Sequence, residues 1–122
     1  MLRERALKIL LVLVGLLFTA GIYPLIGLLL HPVGSDAGDA MMLSLYVTLG
    51  IMLLVAVRNP SAHRSLIAFT AWSSLAHGGV MAVQALYNAS ERMHYLSGTV
   101  VLAFIGVALL ALAPAKPTTV QA

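Results

Sequence analysis

Of 122 residues, 61% are hydrophobic and only 9% are charged, with a mean hydropathy of +0.99; a soluble domain gives roughly a quarter of its residues to charge, so this chain has too few polar groups to cover a core in water. The net charge of +3 does not point to nucleic acid, because the seven Lys and Arg stand in short flanks between apolar runs and form no basic face with interleaved aromatics. With no cysteine, disulfides, thiolate metal sites and cysteine nucleophiles are excluded.

Four apolar segments follow in chain order, at about 6–30, 40–57, 65–88 and 93–113. A helix rises 1.5 Å per residue and needs about 20 residues, with a range of about 17–25, to cross the hydrocarbon core, and all four segments fit. None alternates with period two, so helices rather than strands are expected, and helices also satisfy their own backbone groups in lipid. The first run is too long for the ~7–15 apolar residues of a signal peptide and reads as a retained helix, kinked at Pro24. It ends at His31-Pro32-Val33-Gly34. Asp39 reads as the N-cap of the second helix and Ser90 as that of the fourth, while Asn59-Pro60 reads as a helix stop and fresh start. The residues 116–122 read as a disordered tail.

Charge orients the spans. Arg3, Arg5, Lys8, Arg58, Arg64 and Lys116 fall on one side and only Arg92 on the other, a positive-inside signal that places both termini in the cytoplasm. Short connections make sequential helices antiparallel neighbours. The expected fold is therefore all-α: an integral membrane, up-down four-helix bundle, N-in/C-in, forming one domain in the inner membrane of a bacterial cell.

The third helix carries the chemistry. Thr70, Ser73, Ser74, His77, Gln84 and Asn88 recur at helical spacing with Met81, making one polar face that should avoid lipid and turn to the bundle interior or another subunit. Beside it run Ala71, Gly78, Ala82 and Ala85, small enough to admit a neighbouring backbone. His77 lies near mid-span. It reads either as an interhelical hydrogen-bonding residue, with Thr19, Tyr23, Ser44 or Thr48 as partner, or as the contact for a ligand such as quinone or haem, with Ser73, Ser74 and Gln84 beside it. Haem held by two histidines of one chain is disfavoured, because His31 and His94 belong near the outer surface and His63 near the inner one. Trp72 is too deep for an interfacial belt and reads as a packing residue.

On the outer side His31, Asp36, Asp39, Glu91 and His94 could hold a divalent metal, with Glu91 and His94 spaced as in the Glu-x-x-His pattern of di-iron bundles. Capping by Asp36 and Asp39, and Glu91 at the positive end of the fourth helix, explains the same residues without a metal. The basic run from Arg58 to Arg64 reads as a topology anchor attracted to anionic headgroups.

Leu45-Tyr46, Gly50-Ile51, Ala56-Val57-Arg58-Asn59-Pro60, His63-Arg64-Ser65-Leu66 and Trp72-Ser73-Ser74-Leu75-Ala76-His77 resemble a group of small uncharacterised bacterial membrane proteins, broadly similar to the DoxX-like four-helix proteins. The resemblance covers the second and third helices, implies the four-span fold and carries over no catalytic residue. It also implies a possible role beside quinol-linked respiratory assemblies. The expected function is a non-enzymatic accessory subunit or homo-oligomer working through helix-helix contacts, its partners being the lipid bilayer and other membrane subunits or copies of itself. The alternatives are a quinone-binding or redox bundle using His77, and an oligomeric transporter or channel.

Overall fold

The computed structural model describes residues 2–31 and 37–114. Among them every regular element is helical. Helix α1 (Leu2–Thr19) and helix α2 (Ile22–Leu30) form the first apolar segment, α3 (Ala37–Ala56) the second, a short 3-10 turn (Pro60–His63) leads into α4 (Arg64–Tyr87) for the third, and α5 (Arg92–Leu112) is the fourth. All four segments are long and apolar enough to cross a membrane. At most 28% of the residues in the most apolar window of any of them are buried within the chain. Exposed Leu13, Phe69, Phe104 and Val107 are therefore surfaces for lipid or for another protein, since water would not accommodate an apolar surface on that scale.

The first span breaks rather than bends. An unbroken helix would have Pro24 donate to the carbonyl of Ala20, and proline has no N–H to give and clashes with that carbonyl. Tyr23 N–H takes Ala20 O instead at 3.1 Å, and Gly21 N–H reaches back only to Phe18 O at 3.0 Å, a tightening to i→i−3 that separates α1 from α2. At the other predicted stop, Arg58 and Asn59 make the same three-residue bonds, to Val55 O and Ala56 O, before Pro60 opens the 3-10 turn.

Neither predicted N-cap takes that role. Asp39 lies within the first turn of α3, which starts earlier than expected at Ala37, and there its carboxylate still faces the positive helix end. Ser90 donates to Asn88 Oδ1 at 3.0 Å, and Glu91 occupies the N-cap position of α5 without a side-chain cap bond. The predicted tail at 116–122 and Asp36 lie outside the described residues.

Contacts divide the described chain into two units, residues 8–59 and residues 2–7 with 60–114. In the first, α1 and α3 run antiparallel through a glycine crossing. A Cβ on Gly15 would stand 3.1 Å from Gly50 O, and one on Gly50 would stand 2.8 Å from Gly15 O and 2.6 Å from Thr19 N. Only paired glycines let two backbones come this close. One turn along, Phe18 and Tyr46 meet edge to face at 4.8 Å between centroids, the arrangement that the ring quadrupoles favour.

In the second unit, α4 and α5 are antiparallel along their whole length. Gly106 lies against Ala71 and Leu75, Gly78 against Thr99 and Leu102, and Gly98 against Met81. Ile67, Thr70, Ala71, Ser74, Gly78 and Ala85 of α4 and Leu102, Ile105, Gly106 and Leu109 of α5 are buried. Trp72, expected as a packing residue, is 60% exposed. At about 100° per residue it lies on the side of α4 opposite to Ser74. Its indole is a large, mostly apolar surface there.

Candidate functional site

The polar face expected along the third helix is divided by the structure. Thr70 and Ser74 are fully buried, Ser73, His77, Met81 and Asn88 are half-buried, and Gln84 is exposed. The centre of the α4–α5 contact is occupied instead by small residues, Ala71, Gly78 and Ala85, with Ala82 half-buried beside them. Close backbone approach needs the smallest side chains where the axes are nearest; at about 100° per residue, Ser73, His77 and Gln84 lie on the side of α4 away from Ala71 and Leu75, which meet Gly106.

Most hydroxyls here turn back on their own helices. Thr70 Oγ1 donates to Leu66 O at 2.8 Å and Ser73 Oγ to Thr70 O at 3.2 Å, the local bonding by which Ser and Thr are accommodated inside helices. Thr99 does this and more: its Oγ1 lies 2.9 Å from Tyr95 O and 3.1 Å from Gly78 O, so one proton is shared between its own helix and α4. Gly78 makes that crossing possible by leaving its carbonyl open to the neighbouring helix.

Ser74 Oγ differs from these. It is fully buried and has no hydrogen-bond partner among the described residues, and in the other unit Thr19 Oγ1 is in the same state. A buried hydroxyl without a partner carries a desolvation cost. Ser74 stands three residues before His77, about one helical turn, on the adjoining side of α4. In the other unit, Ser44 donates to Met41 O at 2.6 Å and Thr48 to Ser44 O at 2.9 Å, within α3. Tyr23 is 85% exposed.

Among the described residues, which leave out Asp36, no group of three or more His, Asp or Glu is placed to hold a metal ion. His31 caps α2 through its own backbone N–H to Gly27 O at 2.9 Å and is exposed. His94 is exposed, with its ring 5.6 Å from that of Tyr95.

A second polar arrangement has no counterpart in the sequence reading. Three arginines bind helix C-terminal carbonyls. Arg3 Nη2 donates to Ala113 O at 2.9 Å and Ala111 O at 3.3 Å, Arg64 Nε to Pro114 O at 3.1 Å, and Arg92 Nε to Ala85 O at 2.9 Å. The last turns of α5 and α4 leave carbonyls without intrahelical donors and carry the negative end of the helix dipole, so a guanidinium satisfies both at once. The positive charge of each flank was legible, whereas a bond between residues 110 positions apart was not.

Residues 2–121 match the profile of a family of unknown function, DUF6632. The match agrees with the resemblance to uncharacterised proteins and gives no support to the DoxX-like affiliation. No curated protein and no solved structure matches the chain.

Proposed function

We propose, for a chain that belongs to the DUF6632 family of unknown function, that it is a non-enzymatic integral protein of the bacterial inner membrane, an up-down four-helix bundle that acts through helix-helix contacts as an accessory subunit or homo-oligomer. Both termini lie in the cytoplasm in this reading, because six of the seven Lys and Arg fall on that side. Reporter fusions after Leu112 and near Ala62 are expected to read as cytoplasmic, and fusions near Gly38 and Ala89 as external. An external C-terminus would remove the even number of spans.

The observation that carries the association is Gly79. Gly15, Gly21, Gly50, Gly78, Gly98 and Gly106 each lie close to a neighbouring side chain or backbone, but a Cβ on Gly79 would meet nothing within 4 Å. Gly79 shares an exposed face of α4 with Trp72, Ala76 and Val83. Small residues beside a large aromatic on an outward helix face suit close approach by another helix, and packing of this kind, rather than hydrophobicity, drives association in lipid. Gly79→Leu is expected to leave the monomer folded, since the space is open, and to reduce the size of the assembly measured by light scattering in mild detergent. A wild-type chain that is monomeric and carries no stoichiometric partner would overturn the reading, as would an assembly unchanged by the substitution.

One observation favours a second reading. The unpaired Ser74 hydroxyl beside His77 offers a donor and an imidazole near mid-span, where the carbonyl oxygens of a quinone could be received. The face of α4 bearing Ser73 and Gln84 would then form the rest of the contact. A haem ligand at His77 draws no support from a second histidine on the same helix.

A further inference from the structure

Two arginines distant in sequence converge on one helix end. Arg3, in the first turn of α1, and Arg64, the first residue of α4, both bind carbonyls just at the end of α5, Ala111 and Ala113 for one and Pro114 for the other. Two cations are tolerated side by side because the dipole of α5 presents its negative end there. The carbonyls are neutral and do not cancel the charge. A guanidinium has five N–H donors. Arg3 uses only Nη2 and Arg64 only Nε in these bonds, so Nε and Nη1 of the first and both terminal amino groups of the second retain donor capacity.

A cavity of about 420 Å³ opens at the same place. Its apolar wall consists of Leu7, Pro60, Leu112 and Pro114; Arg3, Glu4 and Ser61 supply the polar part. Arg64 is not part of the wall but donates to the carbonyl of Pro114, which is. The volume falls in the range of about 300–1,000 Å³ found for small-molecule sites. Among the described residues Arg3 and Glu4 are the charged side chains on the wall, and Arg64 stands one hydrogen bond beyond it on Pro114, so two guanidinium groups surround the site against one carboxylate. The mixed lining suits an anion that carries an apolar portion.

We propose that this cavity seats one anionic phospholipid, its phosphate on the remaining donors of Arg3 and Arg64 and the first part of an acyl chain against Leu7, Leu112 and Pro60. Planar guanidinium groups match phosphate oxygens in paired hydrogen bonds. The backbone carbonyls hold both groups in place beforehand, which reduces the ordering cost of binding. The N-terminus of the first span and the C-terminus of the last meet at this end, the level of the headgroups. The assignment rests on the membrane reading, but on neither the orientation nor the self-association proposed above, which reporter fusions and light scattering test separately.

The test uses the full chain in a neutral detergent, with phosphatidylglycerol, phosphatidylcholine or inorganic phosphate added, followed by thermal unfolding and native mass spectrometry. Phosphatidylglycerol is expected to raise Tm and to remain as one adduct per chain, with neither effect from phosphatidylcholine or from phosphate. Replacing both arginines, Arg3→Gln with Arg64→Gln, should weaken that binding about tenfold or more, the loss expected when charge-assisted hydrogen bonds are removed. Arg92→Gln removes the same kind of helix-end bond at a residue outside this cavity's lining and should keep wild-type affinity. Leu112→Phe fills the cavity with both guanidinium groups intact and should also weaken binding, which keeps the proposal testable if the double variant does not fold. Equal stabilisation by phosphatidylcholine, an effect of phosphate alone, or unchanged affinity in the folded variants would each overturn it.

Discussion

Gly50→Ala is expected to destabilise the protein more than alanine at any other described glycine of the helix crossings. The new methyl would stand 2.6 Å from Thr19 N, 2.7 Å from Thr19 Oγ1 and 2.8 Å from Gly15 O. Two of these three atoms are backbone, so α1 and α3 must separate rather than a side chain rotate. A cost in the upper part of the roughly 1–3 kcal/mol range for overpacking follows. Gly106→Ala should fall between Gly50→Ala and Gly78→Ala: its closest neighbours, Leu75 Cγ at 2.6 Å and Cδ2 at 2.7 Å, belong to a side chain that can turn, although Ala71 O at 2.9 Å cannot. Gly78→Ala should be nearly neutral, because Leu102 Cβ at 3.4 Å and Thr99 O at 3.5 Å are at ordinary contact distance. Gly78→Leu should not be tolerated, since the longer side chain must enter the space held by Leu102 and part Thr99 from the Gly78 carbonyl. Thermal unfolding of the four variants in one detergent gives the order directly. A Gly50→Ala protein as stable as wild type would refute the backbone contact between α1 and α3.

His77→Leu is expected to cost about 0.6–2 kcal/mol, the range measured for hydrogen bonds between membrane helices, whereas His77→Gln should retain most of that stability because an amide also donates and accepts. His77 is half-buried, and an amide side chain has similar reach. Ser74→Ala supplies the complementary measurement. Its hydroxyl is buried without a partner among the described residues, so removing it should be neutral or stabilising in the protein alone. If His77 and Ser74 instead receive a quinone, Ser74→Ala and His77→Gln should both fold and both lose the bound molecule. Absorption spectra and mass spectrometry of gently purified variants, read beside their unfolding curves, separate the outcomes. A stable His77→Gln protein stripped of a quinone present in wild type would defeat the structural role.

The same contrast explains which parts of the molecule were legible beforehand. The glycine crossing of α1 and α3 was not foreseen, although Gly15 and Gly50 are plain in the sequence, because a glycine needed for close approach and one exposed to the surroundings, such as Gly27 or Gly79, have the same local context. The polar residues of the third helix were placed on one face, yet Thr70 and Ser74 are fully buried while Gln84 is exposed. A spacing of three and four residues defines a face about 100° wide, and neighbouring faces overlap within that width.

By itself the sequence determined the helical character of the chain, the number and approximate limits of its apolar segments and the sites of their interruption. These depend on run length, on the missing N–H of Pro24 and on the stop at Asn59-Pro60, all forces acting within a few residues. Tertiary structure alone decided which side of α4 is buried, which glycines touch a neighbouring backbone, and that Arg3, Arg64 and Arg92 bind helix-end carbonyls instead of serving only as flanking charge. Each of those depends on which atoms of distant segments come within a few ångströms, and short-range contact of that kind is set by the mutual fit of whole helices.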